Sequence, residues 1–215
     1  MEILYEDSRI AVCIKPPGVL STDEPGGMPE LLRTQLKTAC IRTVHRLDRV
    51  TGGIMVFARS RMAASILSEQ VRSGTLQKEY LAVLHGAPPE SSGLLTDLLL
   101  RDRQENITRV VSEPGKDVQQ AALSYTVLET AGQLTLVRIR LLTGRTHQIR
   151  AQFSSRGLPL WGDRKYGSPV ENAYPALFAC KLSFLHPQTQ TPMQFSASPP
   201  DSDPWTLFSA AEAAL

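Results

Sequence analysis

The chain has 215 residues, 42% of them hydrophobic, which is enough for one large domain or for two lobes around a shared core. Its 23 lysines and arginines against 21 aspartates and glutamates leave a formal charge of +2, and no apolar run approaches the roughly 20 residues of a membrane span. The opening Met1-Glu2-Ile3-Leu4-Tyr5-Glu6-Asp7 has neither the basic flank nor the apolar stretch of a signal peptide, so a cytoplasmic protein is expected.

Taken in chain order, residues 2 to 5 read as a first strand pairing with 9 to 15, where Ile10, Val12 and Ile14 alternate before Pro16-Pro17-Gly18 breaks the run. Pro29 followed by Leu31, Leu32 and Leu36 predicts a short helix. Gly53 to Ala58 is a buried-strand pattern. Ser60 is placed to cap a helix with Met62, Ile66, Leu67 and Val71 on one face and Gly74 at its C-terminus. Tyr80 to Leu84 reads as a strand, and the pieces at 94 to 100 and 107 to 111 as a peripheral hairpin. Two alternating runs at 122 to 129 and 133 to 141, separated by Thr130-Ala131-Gly132, predict a long hairpin. Thr146 is placed to cap a helix with Ile149 and Phe153 on its apolar face, ending at Gly157. Strands at 178 to 185 and 192 to 197 and a short tail helix after Pro204 complete an α+β pattern built on a mainly antiparallel sheet.

Charge is unevenly spread. Residues 33 to 80 hold Arg33, Lys37, Arg42, Arg46, Arg49, Arg59, Arg61, Arg72 and Lys78 against Asp48, Glu69 and Glu79. Residues 138 to 165 hold Arg138, Arg140, Arg145, Arg150, Arg156, Arg164 and Lys165 against Asp163 alone. Such stretches suit a polyanion, although solvated faces of helices and strands read the same way. Cys13, Cys40 and Cys180 have no C-x-x-C spacing, so neither a disulfide framework nor a zinc knuckle is indicated. His45, Asp48, His147 and Asp163 are the right types for a divalent cation, but their spacing matches no helical or hairpin ligand pair. No P-loop, G-x-G-x-x-G, H-E-x-x-H or G-x-S-x-G is present.

One segment stands out chemically. Residues 45 to 53, His-Arg-Leu-Asp-Arg-Val-Thr-Gly-Gly, set Asp48 among His45, Arg46 and Arg49 in a turn-like stretch before an apolar strand. A carboxylate that reacts must stay ionised while partly shielded, and neighbouring cations favour that state. Arg145 or Arg150, if either reaches Asp48, would add a charge-assisted contact. Tyr80 offers an aromatic hydroxyl for stacking or proton relay, or is a core tyrosine with one hydrogen bond.

Four motifs in order, His45-Arg46-Leu47-Asp48 with Thr51 and Gly53, Lys78-Glu79-Tyr80-Leu81, Thr143-Gly144-Arg145-Thr146-His147-Gln148-Ile149-Arg150, and Gly162-Asp163-Arg164-Lys165-Tyr166-Gly167, closely resemble the RluA family of RNA pseudouridine synthases. The likeness runs from about residue 3 to residue 200. It implies the pseudouridine synthase fold, with a mixed, mainly antiparallel sheet, flanking helices and a central catalytic cleft. It also implies an isomerase turning specific uridines of structured ribosomal or transfer RNA into pseudouridine with no metal or organic cofactor. By that resemblance Asp48 is the catalytic aspartate, Arg46 displaces the target base, Tyr80 packs on the uracil and is a candidate for the C5 proton transfer, and Arg150 pairs with the catalytic carboxylate. Ile149 would line the base pocket, and His45, Arg49, Thr51, Arg145, His147 and Gln148 would contact the RNA. The alternative is a catalytically silent RNA-binding protein of the same fold.

Three positions depart from the family pattern: Gly52 replaces a usual serine, Ser124 a usual threonine and Phe178 a usual histidine. Strand-like sequence from residue 2 leaves no room ahead of it for the small S4 RNA-binding domain of many relatives. A single catalytic domain over 1 to 215, monomeric and without an obligatory protein partner, is therefore expected.

Overall fold

The computed structural model describes residues 1–171 and 173–213. They fall into two compact units, one of Met1–Lys78 with Ala179–Ala197, the other of Glu79–Phe178 with the described residues from Ser198 on.

In the first unit, β1 (Ile3–Glu6) pairs antiparallel with β2 (Ile10–Lys15), and β2 with β4 (Gly52–Ala58). A two-residue strand not apparent in the sequence, β3 (Arg42–Thr43), adds to β4. The last part of β10 (Leu177–Leu185) pairs antiparallel with β11 (Pro192–Ser196). Alternate residues make one face of this sheet, so Ile10, Val12, Ile54, Val56, Leu182 and Phe184 form a single apolar layer. Onto it packs α2 (Arg61–Ser73) through Ala63 and Leu67, both essentially inaccessible. Truncating Leu67 to alanine would cost about 2–5 kcal/mol.

The ends of α2 follow the sequence reading. Ser60 accepts a hydrogen bond from Ala63 N through Oγ at 3.1 Å, and Gly74 closes the helix in the left-handed region at φ 75°. Its buried face does not follow, because Met62 is 56% exposed while Gln70 is buried. The Gln70 amide donates to Leu185 O at 2.7 Å and accepts from Leu185 N at 2.8 Å, making the bonds a strand neighbour would make. The short helix α1 (Met28–Gln35) buries Met28 and Leu32 and leaves Leu31 on the outside.

Gly53 lies at φ 125°, and a Cβ there would stand 2.4 Å from Ala179 O, so only glycine lets β4 lie this close to β10.

The second unit is built on antiparallel strands in the order β5-β9-β8-β6-β7, with β5 beside β9 and β6 beside β8 rather than beside its predecessor. Its strands are β5 (Gln77–His85, entering the unit at Glu79), β6 (Ser92–Asp102), β7 (Ile107–Val111), β8 (Val118–Ala131) and β9 (Leu134–Leu141). The hairpin of 94 to 111 is peripheral as expected: β7 is the last strand in the order, and β6 joins it to the rest through β8. The other predicted hairpin forms, with its turn at Gly132-Gln133 rather than 130 to 132.

Helix α3 (Gln148–Ser154) starts two residues after Thr146 and is not capped by it. His147 occupies the N-cap in the left-handed region (φ 54°, ψ 21°), and Thr146 spends its carbonyl on Thr108 Oγ1 at 2.9 Å. Ile149 and Phe153 are buried as predicted, but so are Gln148, Arg150, Ala151 and Gln152, so α3 turns its polar side chains inward as well. Phe153 meets Tyr125 edge-on at 5.7 Å between centroids. After Pro204 the chain forms a 3-10 turn, Trp205–Leu207, and the short α4 (Ala210–Ala213). With its helices beside mainly antiparallel strands, the fold is α+β.

Candidate active site

Residues 43 to 51 are held in the first unit by the turn that follows β2. Lys15 ends that strand with no exposed surface, and its Nζ donates to the carbonyls of Pro16 (2.9 Å), Val19 (2.7 Å) and Arg49 (3.1 Å). Gly18 N donates to Arg49 O at 2.8 Å, and Arg49 Nε returns a bond to Gly18 O at 2.9 Å. Ser21 donates through Oγ to Leu47 O at 2.7 Å and accepts from Leu47 N at 3.1 Å. Thr51 N closes the turn on Asp48 O at 3.0 Å. Asp48 is thus clasped at residues 47, 49 and 51, and its carboxylate is part-exposed.

Burial pulls the Lys15 ammonium down to about 8, and the negative charge of Asp48 opposes that fall. Lys15 is the cation the sequence reading overlooked. A lysine closing an otherwise apolar strand, just before Pro-Pro-Gly, was the available signal, since lysines are almost never fully buried without partners.

His45 does not act as a cation beside Asp48. It is 5% exposed, accepts from Val56 N through Nε2 at 3.2 Å, and is pushed down to about 3 by burial and then by the charge of Lys78. At neutral pH it is a neutral ring fastening the loop to β4. Arg46 and Arg49 are exposed, and Thr51 is buried with no partner for its hydroxyl among the described residues.

In the second unit the strand β9 runs into the loop at 142 to 147, whose shape depends on Gln148. Its Oε1 accepts from Thr143 Oγ1 (2.8 Å) and Arg145 N (3.0 Å), and its Nε2 donates to Ala122 O (3.0 Å). Gln148 is 3% exposed. Arg145 is exposed and donates from Nε to Gln120 O at 3.1 Å. His147 Nδ1 lies 2.9 Å from Tyr166 Oη, with the two rings edge-to-face at 88°. Tyr80, opposite Ile139 in the β5–β9 ladder, is 4% exposed, as is Ile149.

Arg150 is the most tightly held of these groups. Nε donates to Asp163 Oδ2 at 2.6 Å and Nη2 to Asp163 Oδ1 at 2.8 Å. The guanidinium carbon lies 4.8 Å from the centre of the Tyr166 ring. In the sequence Asp163 reads as a residue type suited to a metal and as a member of the fourth motif, with no partner assigned to it. The backbone reaches it through Gly162 (φ 76°), where a Cβ would stand 2.4 Å from Tyr174 O.

The two basic stretches are partly neutralised where they stand. Arg33 is paired with Asp23, Arg72 with Glu69, Arg156 with Asp97, Arg164 with Glu171 and Arg150 with Asp163. Among the described residues no cluster of three or more histidines, cysteines or acids is arranged to hold a metal ion, and no helix is long and apolar enough to cross a membrane.

Residues 9–155 match the family model described as RNA pseudouridylate synthase. The uncharacterized RNA pseudouridine synthase YjbO of Bacillus subtilis is 37% identical over 209 residues, covering 93% of this chain and 73% of that protein. The dual-specificity RNA pseudouridine synthase RluA of Vibrio vulnificus is 34% identical over 199 residues, covering 87% and 79%. The solved structure of human RNA pseudouridylate synthase domain containing 1 superposes with a TM-score of 0.79 at 24% identity, covering 93% of this chain and 83% of that one, and shares the fold. The motifs around Asp48, Tyr80 and Arg150 accordingly sit in a chain that belongs to the RluA family of RNA pseudouridine synthases.

Proposed function

We propose that this pseudouridine synthase acts on uridine in structured ribosomal or transfer RNA, as a monomer, with Asp48 as its catalytic carboxylate. The observation that carries the assignment is the clasp on the Asp48 loop. A fully buried ammonium and five further hydrogen bonds are spent on fixing a turn whose one part-exposed acidic side chain is Asp48.

In the reaction the N1–C1′ bond of the nucleotide breaks, the uracil turns, C5 bonds to C1′, and C5 then gives up its proton while N1 regains one. Asp48 engages the nucleotide as the glycosidic bond breaks. Tyr80, whose ring is buried in β5, packs on the uracil and serves the C5 proton transfer. Arg150, its charge balanced by Asp163, offers guanidinium donors to negative charge in the reacting state, and Ile149 borders the base. Arg46, exposed on the same loop as Asp48, takes the place of the base when the nucleotide leaves its stack, which offsets part of an unstacking cost of a few kcal/mol. Exposed Arg49 and Arg145 and part-exposed His147 are left as phosphate or sugar contacts, whereas His45, Thr51 and Gln148 support the loops that carry them.

The test is release of tritium from RNA labelled at C5 of uridine, comparing the wild type with Asp48→Ala. Release confined to the wild type is expected. Equal release from the variant would remove Asp48 from the chemistry, and RNA binding without release by either protein would indicate a silent binder. Mapping pseudouridine across total RNA with and without the protein identifies the target and tells one site from several.

A further inference from the structure

The guanidinium of Arg150 is held on two sides by the motif at 162 to 167. Its Nε–Nη2 side makes parallel bonds to both oxygens of Asp163, a pair only 5% and 1% exposed. Its flat face lies over the Tyr166 ring. Tyr166 is itself fixed: its hydroxyl accepts from Thr108 N at 2.8 Å and contacts His147 Nδ1, and its carbonyl accepts from Ser154 Oγ at 2.7 Å. Asp163 is fixed by its own backbone, with N donating to Leu160 O at 3.0 Å and O accepting from Tyr166 N and Ser168 N.

A lone arginine side chain samples many rotamers, and a bidentate contact on one edge fixes both the plane of the guanidinium and the direction of its remaining Nη1. Donors already aimed when charge develops need no reorganisation during the reaction. We propose that Asp163 and Tyr166 are positioning residues for the isomerisation, gripping Arg150 by its edge and its face so that Nη1 is aimed before RNA binds. The proposal rests on the reading of Arg150 as a cation of the reaction. It gives the aspartate and tyrosine of the fourth motif a kinetic role rather than a place in the core alone.

The experiment follows single-turnover tritium release from C5-labelled RNA, isolated from cells lacking this protein, over a range of enzyme concentrations. Heteronuclear spectra of arginine Nε–Hε groups report the clamp independently of activity. Asp163→Asn should abolish the protected Arg150 Nε–Hε signal and lower the maximal rate on the order of 10- to 100-fold, as a displacement near 1 Å would. The half-saturating enzyme concentration should move by less than about threefold, because binding is not what is lost. Asp163→Glu, which keeps the charge, should recover part of the rate. Tyr166→Leu, with the ion pair kept, should lower the rate while Tyr166→Phe retains most of it, and this pair answers the question if Asp163→Asn fails to fold. Loss of the Nε–Hε signal with a rate within threefold of wild type would overturn the proposal, as would an unchanged rate in Tyr166→Leu. Arg150→Lys separates the two layers: a wild-type rate there would sink the reading of Arg150 itself, and this proposal with it.

Discussion

The ammonium of Lys15 donates at 3.1 Å to the carbonyl of Arg49, the residue that follows Asp48. One buried side chain thereby ties the turn at 16 to 19 to the loop bearing the acidic group, and it places a positive charge within electrostatic range of that group.

Lys15→Met should therefore injure the loop more than the fold. Three carbonyls lose their common donor, at about 1–3 kcal/mol for buried groups left unsatisfied. Tritium release should fall by more than the lost stability explains, on the order of tenfold or more for a misplaced reactive group. Urea unfolding and initial rates at a temperature where the variant stays folded separate the two effects.

Lys15 also predicts opposite pH trends for stability and activity. Its folded value is about 8 against an ordinary 10.5, so below pH 8 the folded state bears the cost of a buried charge. Between pH 8 and 10.5 the unfolded chain binds more protons, and this group's contribution to stability rises with pH, by on the order of 3 kcal/mol in all. Over the same range the charge facing Asp48 disappears, and the rate should show an alkaline limb near pH 8. The stability of the wild type relative to Lys15→Met, measured at pH 7.5 and 10.5, checks the sign. A flat difference would show that the ammonium does not titrate there.

His45 sets an acid limit. Its folded value near 3 lies below the 6.5 of the free ring, so the unfolded chain takes up protons first as pH falls. Its contribution is complete above pH 6.5 and is lost progressively toward pH 3. From pH 6.5 to 4 the wild type should lose on the order of 3 kcal/mol relative to His45→Gln, which retains an acceptor for Val56 N but no titrating ring. Parallel acid unfolding curves would count against a neutral buried His45.

Arg150→Ala leaves Asp163 as an unpaired carboxylate that is 1% exposed, and should cost about 3–5 kcal/mol. Replacing both residues by apolar ones, Arg150→Met with Asp163→Leu, should return most of that stability without returning activity. Calorimetry with the tritium assay distinguishes this from an arginine whose importance is structural only.

Asp48→Asn keeps the shape of a part-exposed side chain and removes its charge. Turnover should vanish while the melting temperature moves by no more than a surface substitution allows, within about 0.5 kcal/mol. Retained tritium release would exclude Asp48 as the reacting group.

Most of the architecture was legible because it follows periodic burial. The strands around Val12 and Ile139 announce themselves by alternation and the one around Val56 by an unbroken apolar run, and Ser60 and Gly74 mark the ends of α2 by their own capping chemistry. Short-range signals failed where distant groups took over their roles. Thr146 looked like a helix cap, but Thr108 claims its carbonyl and Gln148 satisfies the loop instead. Met62 fitted the apolar face of α2 by spacing, yet the sheet accepts the amide of Gln70 there. In the site, the motif residues could be named from their order alone. What could not be read was how burial treats them, since it makes His45 neutral and sets the carboxylate of Asp163 against Arg150.

The carboxylates already seated on Arg33, Arg72, Arg150, Arg156 and Arg164 bear on how the protein holds its substrate. Cations neutralised from within displace few of the ions condensed along a nucleic acid, and it is the entropy of those released ions that makes such complexes sensitive to ionic strength. The hold on RNA should then weaken with added salt far less steeply than 23 basic residues suggest, and selection of the uridine falls more to the folded outline of the RNA than to its charge.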